Sequence, residues 1–374
     1  MNLLPGVDEV WDALPEARVV GGAVRDTLAG CAFADVDFAS PLAPEVVMAR
    51  AKAAGLKPVP TGIAHGTITV VARGRGFEVT TLRRDVETDG RHAVVEFTDD
   101  WREDAARRDF TMNAMSMDRA GVVFDYFGGR DDLAAGRVRF VGEAGLRIQE
   151  DYLRILRFFR FYARYAKGVP EASAVAAIRT HKDGLRTLSV ERVWSEIKLI
   201  LKAADPRAAL ALMRETGVRE MVLPEVDEEA LAALVLRGAP VDPVLRVAAL
   251  VREDVGAFAR RLKLSQVERD RLRALRRPAL AVDADDVALR RALAREPRDV
   301  LVDRSWLADG GAGLRVRLGA MERPVLPVRG RDLLALGVPA GPELGVALRE
   351  VEAWWLAGGC VADAAACLGW FGTR

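Results

Sequence analysis

Val19-Val20-Gly21-Gly22-Ala23-Val24-Arg25-Asp26, followed nine residues on by Asp35-Val36-Asp37, decides how the N-terminal part of this chain folds. A short apolar run ending in two glycines lets backbone approach a ligand without Cβ interference, and a helix starting there offers free N–H groups to a phosphate. The pair therefore reads as a phosphate cradle. Two carboxylates one residue apart share a face of a strand, because strand side chains alternate. Asp35 and Asp37 thus present two hard oxygen ligands suited to Mg²⁺ carried on a triphosphate, while Val36 and Phe38 point into a core.

The bulk composition sets bounds on this reading. The chain has 374 residues, half of them apolar and 29% charged, which describes a globular protein of two or three domains. Formal net charge is only +1, so any nucleic-acid contact must be a local basic patch. Three cysteines at Cys31, Cys360 and Cys367 show no metal spacing and no even pairing, as expected for a reducing, cytoplasmic compartment. His65, His92 and His181 are the only histidines, which argues against a histidine-based metal cluster. The N-terminus carries acids early and reads as neither a secretory nor a mitochondrial presequence. No apolar run is long enough for a membrane.

Working outward, residues 1 to about 140 mix β-branched runs (Arg18–Val20, Asp35–Ala39, Gly66–Ala72, Phe77–Leu82) with short helical stretches. Beyond Glu143 the apolar residues recur at spacings of three and four, as in Ile148–Tyr165, Glu191–Ala203, Arg207–Thr216 and Glu228–Val235. The fold class is α+β, a head with a mixed β-sheet followed by an all-α remainder. In the strand Phe77-Glu78-Val79-Thr80, Glu78 is a candidate third acid beside the metal site, although a glutamate on a solvated strand edge would look the same. Arg83 to Phe97 is charged and polar and reads as a surface loop. In Arg107-Arg108-Asp109-Phe110-Thr111-Met112-Asn113, two adjacent guanidinium groups offer planar donors to phosphate oxygens, and Asn113 is placed to read a ribose hydroxyl. Glu150 to Arg164 reads as one helix with Asp151 and Arg154 as surface neighbours and Arg157 and Arg160 continuing a basic stripe. Arg269, Arg271, Arg273, Arg276 and Arg277 follow a capping box at Ser265 and Glu268; they suit either an RNA backbone or a solvated helix face.

Taken in order, the Gly-Gly turn, the acid pair, the Asp89-Gly90-Arg91-His92 stretch, the Arg-Arg motif, the Asp151/Arg154 segment and Glu191-Arg192-Val193-Trp194 resemble the class II CCA-adding enzymes of the nucleotidyltransferase and poly(A) polymerase superfamily. The resemblance is dense over roughly residues 15–200 and looser beyond. It implies a catalytic head (1–140), a helical neck that recognises the base (141–215), a helical body (216–285) and a tRNA-binding tail (286–374). It further implies two-metal nucleotidyl transfer with Mg²⁺, CTP and ATP being added to tRNA 3′ ends without a template. Catalysis would fall to Asp35, Asp37 and Glu78, the metal to Asp35 and Asp37. Nucleotide binding would fall to Gly21, Gly22, Arg25, Arg107, Arg108, Asn113, Asp151, Arg154, Arg157 and Arg160. The chemistry of base choice follows from the side chains. Cytosine and adenine both place an exocyclic amine beside an unprotonated ring nitrogen, so an aspartate acceptor and an arginine donor fit both and leave unpaired groups against uracil and guanine.

The resemblance also gives the Arg83–Phe97 loop a task, repositioning the pocket for the final adenosine. Three other readings stay in view: a bacterial poly(A) polymerase, a partial enzyme adding only CC or only A, and a catalytically silent tRNA-binding module. His65-Gly66-Thr67 and the full-length loop argue for the CCA activity, and retention of Asp35, Asp37, Arg108 and Asp151 together argues against the silent module.

Overall fold

The computed structural model describes residues 4–88, 93–224, 226–251, 254–308 and 311–373. The chain divides into two compact units, Met1–Pro224 and Glu225–Arg374. The expected head and neck therefore lie in the first unit.

The first unit opens with α1 (Val7–Ala13), β1 (Arg18–Val20), α2 (Gly22–Leu28), β2 (Asp37–Ser40) and α3 (Pro44–Ala53). Then come β3 (Lys57–Gly62), β4 (Thr67–Ala72), β5 (Arg75–Thr81), β6 (Arg83–Thr88) and β7 (Ala93–Phe97). The helix α4 (Trp101–Ala106) leads to the short strands β8 (Ser116–Met117) and β9 (Val123–Phe124). Among the described residues seven strands form one mixed sheet in the order β3-β4-β5-β2-β1-β8-β9, with β2 and β5 parallel and its other pairs antiparallel. Alternation gives the sheet a buried face: Phe38, Ile68, Val70, Phe77 and Val79 are all buried, and Phe38 meets Trp11 and Phe77 edge-on at 5.5 and 6.2 Å. Acidic side chains at alternate positions are left on the opposite face.

Where the sequence suggested a loop, β6 and β7 pair as an antiparallel hairpin, Arg83 opposite Phe97 and Arg84 opposite Glu96. At the base of this hairpin Arg84 and Glu96 are exposed and pair across the strands at 2.8 Å, so their charges belong to a ribbon and not to a loop. The expected turn at Asp89-Gly90-Arg91-His92 lies outside the described residues.

Seven α-helices complete this unit's core and its approach to the boundary: α5 (Gly129–Ala135), α6 (Ala144–Glu150), α7 (Leu153–Tyr165), α8 (Ala172–His181), α9 (Val190–Leu201), α10 (Arg207–Thr216) and α11 (Arg219–Val222). The expected single helix from Glu150 to Arg164 is in fact two. Asp151 adopts an extended conformation (φ −155°, ψ 106°), which ends α6, and its carboxylate accepts the Leu153 amide at 3.1 Å to begin α7. Aspartate competes with helical hydrogen bonding in this way, and periodicity alone does not register it. α7 is packed by aromatics: Phe158 stacks with Phe140 at 6.1 Å, and Phe110 lies 4.7 Å from Phe140 and 5.2 Å from Phe161.

Every helix or strand described in the second unit is a helix. Leu289, Leu293, Leu301, Leu314 and Leu318 form one core, and Val328, Leu333, Val351, Trp355 and Cys367 take part in another. The Ser265/Glu268 capping box forms at the start of the helix Gln266–Leu275. The arginines beyond it are engaged within the unit: Arg271 with Asp303 at 2.7 Å, Arg277 with Glu296 at 3.6 Å, Arg273 with Asp270 at 3.4 Å, and Arg269 and Arg276 with the Leu264 and Ala248 carbonyls. That pattern weighs toward a structural role for this stripe. Among the described residues no helix is long and apolar enough to cross a membrane.

Because Phe158 is fully buried in the aromatic cluster, Phe158→Ala should cost about 3–5 kcal/mol in the first unit. Denaturant unfolding followed by near-ultraviolet circular dichroism checks this, and a loss under about 1 kcal/mol would show that the cluster does not organise the core.

Candidate active site

The turn from β1 into α2 builds one wall of a cleft. Gly21 has φ +66°, and a Cβ there would lie 3.1 Å from Arg108 Nη1, so glycine both permits the backbone conformation and admits the guanidinium. Gly21 and Gly22 then face a cleft of about 650 Å³ lined also by Arg25, Asp37, Arg107, Arg108, Asn113, Asp151, Arg154, Arg157 and Arg160. Arg83, Asp109 and Phe161 line it too and were not among the expected residues. Seven arginines against three aspartates make this a site for a polyanion.

The acids stand where the parallel pair β2 and β5 brings them. Phe38 is opposite Val79, so one step back along both strands sets Asp37 beside Glu78. β2 begins at Asp37, and Asp35 lies just before it, yet the alternation persists: Asp35 and Asp37 are exposed while Val36 and Phe38 are buried. Although the Asp37 side chain keeps contact with solvent, the protein atoms crowding its carboxylate, then the charges of Glu78 and Asp35, raise its carboxyl above its usual value against the pull of Arg108. A cation would relieve that repulsion. Among the described residues no group of three Asp, Glu, His or Cys is close enough to hold a metal unaided. The residues present fit a divalent ion that arrives with phosphate oxygens completing its shell, as Mg²⁺ sites commonly do.

The arginines are held from behind by carboxylates. Buried Asp104 accepts from Arg107 at 2.8 Å and Arg108 at 3.1 Å, a spacing of three and four residues from α4 onward. Burial of Asp104 opposes its ionisation, but the two guanidinium groups outweigh this and hold its carboxyl below the usual value. Glu196 on α9 pairs with Arg160 at 3.1 Å, and burial keeps the Glu196 carboxyl above its usual value despite that partner. Asp109 is buried and accepts from Arg157 at 2.7 Å, from Asn113 Nδ2 at 2.9 Å and from the Phe110 amide at 2.8 Å. Asn113 Oδ1 in turn accepts from Arg25 at 2.6 Å, so both ends of the Asn113 amide are engaged inside the protein. Arg25 also donates to Asp26 and to the Tyr165 hydroxyl, each at 2.9 Å, and Tyr165 hydrogen-bonds Asp26. Burial, then the bond to Asp26, pushes the Tyr165 phenol well above its ordinary value.

Asp151 and Arg154 do not pair with each other. Asp151 accepts from Arg192 at 2.8 Å, and Arg154 donates through Nη1 to Glu150 and to the Arg147 carbonyl. Both side chains thus reach the cleft from fixed positions with capacity to spare: a carboxylate offers about four acceptor sites and a guanidinium five donors. Their partners were only partly visible beforehand. Asp104 stands at helical spacing from the Arg pair, whereas Tyr165, Glu196 and Arg192 come into place through tertiary packing, although Arg192 lies within the Glu191-Arg192-Val193-Trp194 motif.

This fold and cleft define a nucleotidyltransferase of the poly(A) polymerase type: residues 17–139 match the family described as "Poly A polymerase head domain", and 170–229 match "Probable RNA and SrmB- binding site of polymerase A". The chain is 40% identical over 358 residues to the Danio rerio CCA tRNA nucleotidyltransferase 1, mitochondrial, spanning 91% of this chain and 83% of that one. It is 36% identical to the Homo sapiens counterpart over 91% and 82% of the two chains. The crystal structure of the Bacillus stearothermophilus CCA-adding enzyme in complex with CTP superposes over 100% of this chain and 98% of that one, with a TM-score of 0.73 and 28% identity. The chain belongs to the CCA tRNA nucleotidyltransferase family.

Burial disfavours the Asp109 carboxylate, but Arg157 and the bond from Asn113 more than compensate, so its folded pKa lies below the unfolded one. Its stabilising contribution is complete above the unfolded value of about 4 and drains away as pH falls through the lower folded value. Asp109→Asn, which leaves the half-buried Arg157 without its charge partner, should lose about 1–3 kcal/mol at neutral pH. Its stability should also fall less steeply than the parent's on acidification below pH about 4. Urea titrations at several pH values test this; parallel pH profiles would disprove the role given to Asp109.

Proposed function

We propose that this protein completes the 3′ end of tRNA by template-independent addition of CCA, consuming CTP and ATP and releasing diphosphate. The observation that carries the reading is the meeting of Asp37, from the acid-bearing strand pair, with a base-sized acceptor and donor, Asp151 and Arg154, in one arginine-rich cleft. A tRNA substrate is supported by the name of the Danio rerio relative, and a CTP substrate by the nucleotide in the Bacillus stearothermophilus complex.

In this reading Gly21, Gly22, Arg107 and Arg108 receive the triphosphate, the glycines through backbone and the arginines through planar forks. Arg157 and Arg160 extend the positive wall, while Arg25 and Asn113, bonded to each other, brace its floor. Asp35 and Asp37 hold Mg²⁺, with Glu78 as a third acid. When bound, two such ions would lower the pKa of the primer hydroxyl and neutralise charge on the triphosphate. Asp151 accepts from the exocyclic amine of C or A, and Arg154 donates to the adjacent ring nitrogen. Arg192 keeps Asp151 turned toward the base. The β6–β7 hairpin, whose base residue Arg83 lines the cleft, is the element that readjusts between cytidine and adenosine. A cytoplasmic setting agrees with the three unpaired cysteines.

Asp35→Asn or Asp37→Asn should abolish incorporation of both labelled CTP and labelled ATP into trimmed tRNA while leaving tRNA binding in place. Near-normal turnover in either variant would remove these residues from the metal site.

Asp151→Ala should relax discrimination against UTP and GTP by about 1–3 kcal/mol, the cost of one unsatisfied partner. Competition assays with all four nucleotides decide it. Unchanged ratios would show that the base is read elsewhere.

A further inference from the structure

A cavity of about 440 Å³ opens at the end of α2 opposite Gly22, separate from the nucleotide cleft. Its charged lining is entirely basic: Arg130 from α5, Arg164 from the last turn of α7, and Lys167 just beyond. Arg130 and Lys167 are exposed and pair with no carboxylate among the described residues. Arg164 is steered toward the cavity by Asp26, whose Oδ2 lies 3.4 Å from it while Oδ1 is occupied by Arg25.

The wall is built to fixed dimensions. Gly136, at φ +65°, ends α5 where a Cβ would stand 2.5 Å from the Lys167 backbone nitrogen, and that nitrogen donates to the Gly136 carbonyl at 3.0 Å. Leu28, Leu133 and the Tyr165 ring supply apolar surface beside the cations. The C-terminal ends of α2, α5 and α7 contribute about half a negative charge each and Asp26 offsets Arg164, so Arg130 and Lys167 supply the positive excess.

We propose that this cavity is a second anion site, taking the phosphate of a phosphorylated molecule of about mononucleotide size. Guanidinium forks match phosphate oxygens, the apolar wall takes the remainder of the ligand, and the volume falls within the range of roughly 300–1,000 Å³ usual for small-molecule sites. Phosphate of the same chemistry could also arrive as an RNA backbone, which the experiment separates.

Cys31 lines the cavity and is partly exposed, whereas Cys360 and Cys367 are buried, so alkylation by a neutral reagent such as monobromobimane reports on the site in the full-length protein. At constant ionic strength and without divalent metal, inorganic diphosphate and CMP, each at ten times its half-saturating concentration, should slow Cys31 alkylation about tenfold. Arg130→Gln/Lys167→Gln should lose this protection, and Arg107→Gln/Arg108→Gln, which weakens the other cleft, should keep it. Protection by a short single-stranded RNA but by neither small probe would overturn the assignment to a small phosphorylated molecule. Absence of protection by all three probes, unchanged protection in the Arg130/Lys167 variant, or its loss only in the Arg107/Arg108 variant would overturn the site itself.

Discussion

The buried carboxylate of Asp109 ties the first unit's sheet-bearing part to α7. It receives Arg157 from α7, Asn113 from its own turn and the Phe110 amide, and Phe110 is itself the centre of the aromatic cluster against Phe140 and Phe161. A charge placed this deep is tolerable only when its acceptor sites are filled, and here they are filled by groups that also shape the cleft. Through Asn113 the same network reaches Arg25, then Asp26 and Tyr165. Packing, charge balance and the position of the cleft wall are therefore one problem with one solution. Changes to any member reach residues that never touch substrate.

Much of this was legible in the chain. The Gly-Gly turn and the Asp-x-Asp spacing carry their geometry locally, since strand alternation and glycine's freedom operate over a few residues. The long apolar periodicities after Glu143 were equally local and located helices such as Val190–Leu201 and Arg207–Thr216 to within two residues. What failed was local competition. Asp151 sits in a run whose apolar spacing favours a helix, but its side chain bonds the Leu153 amide and breaks it. In the segment Arg83–Phe97 the charges suggest a loop, whereas Arg83–Thr88 and Ala93–Phe97 pair as strands, and Arg84 and Glu96 carry opposite charges across the ribbon. The partners Glu196, Tyr165 and Asp104 differ again: only the last lies at a spacing that a sequence can show.

The break at Asp151 also bears on how a protein surface can choose nucleobases. Had α6 and α7 been continuous, Asp151 and Arg154 would have faced each other and neutralised one another along the helix. The extended residue turns Asp151 to Arg192 and leaves Arg154 to Glu150, so acceptor and donor are each held by a different partner. Two polar groups with separate supports keep their spacing when a pyrimidine is exchanged for a purine.

The contrast between an almost neutral molecule and a cleft with seven arginines has a kinetic consequence. Beyond about 8–10 Å at physiological salt a charge is screened, so at longer range a polynucleotide meets a surface with little net attraction. The cleft's positive field acts on what has already entered it. Ribosomal and messenger RNA, present in large excess in any cell, then offer few places to linger, and the protein escapes the sequestration that uniformly basic RNA binders suffer. The scarce free 3′ ends are found by many brief collisions instead of by long residence on the wrong strand.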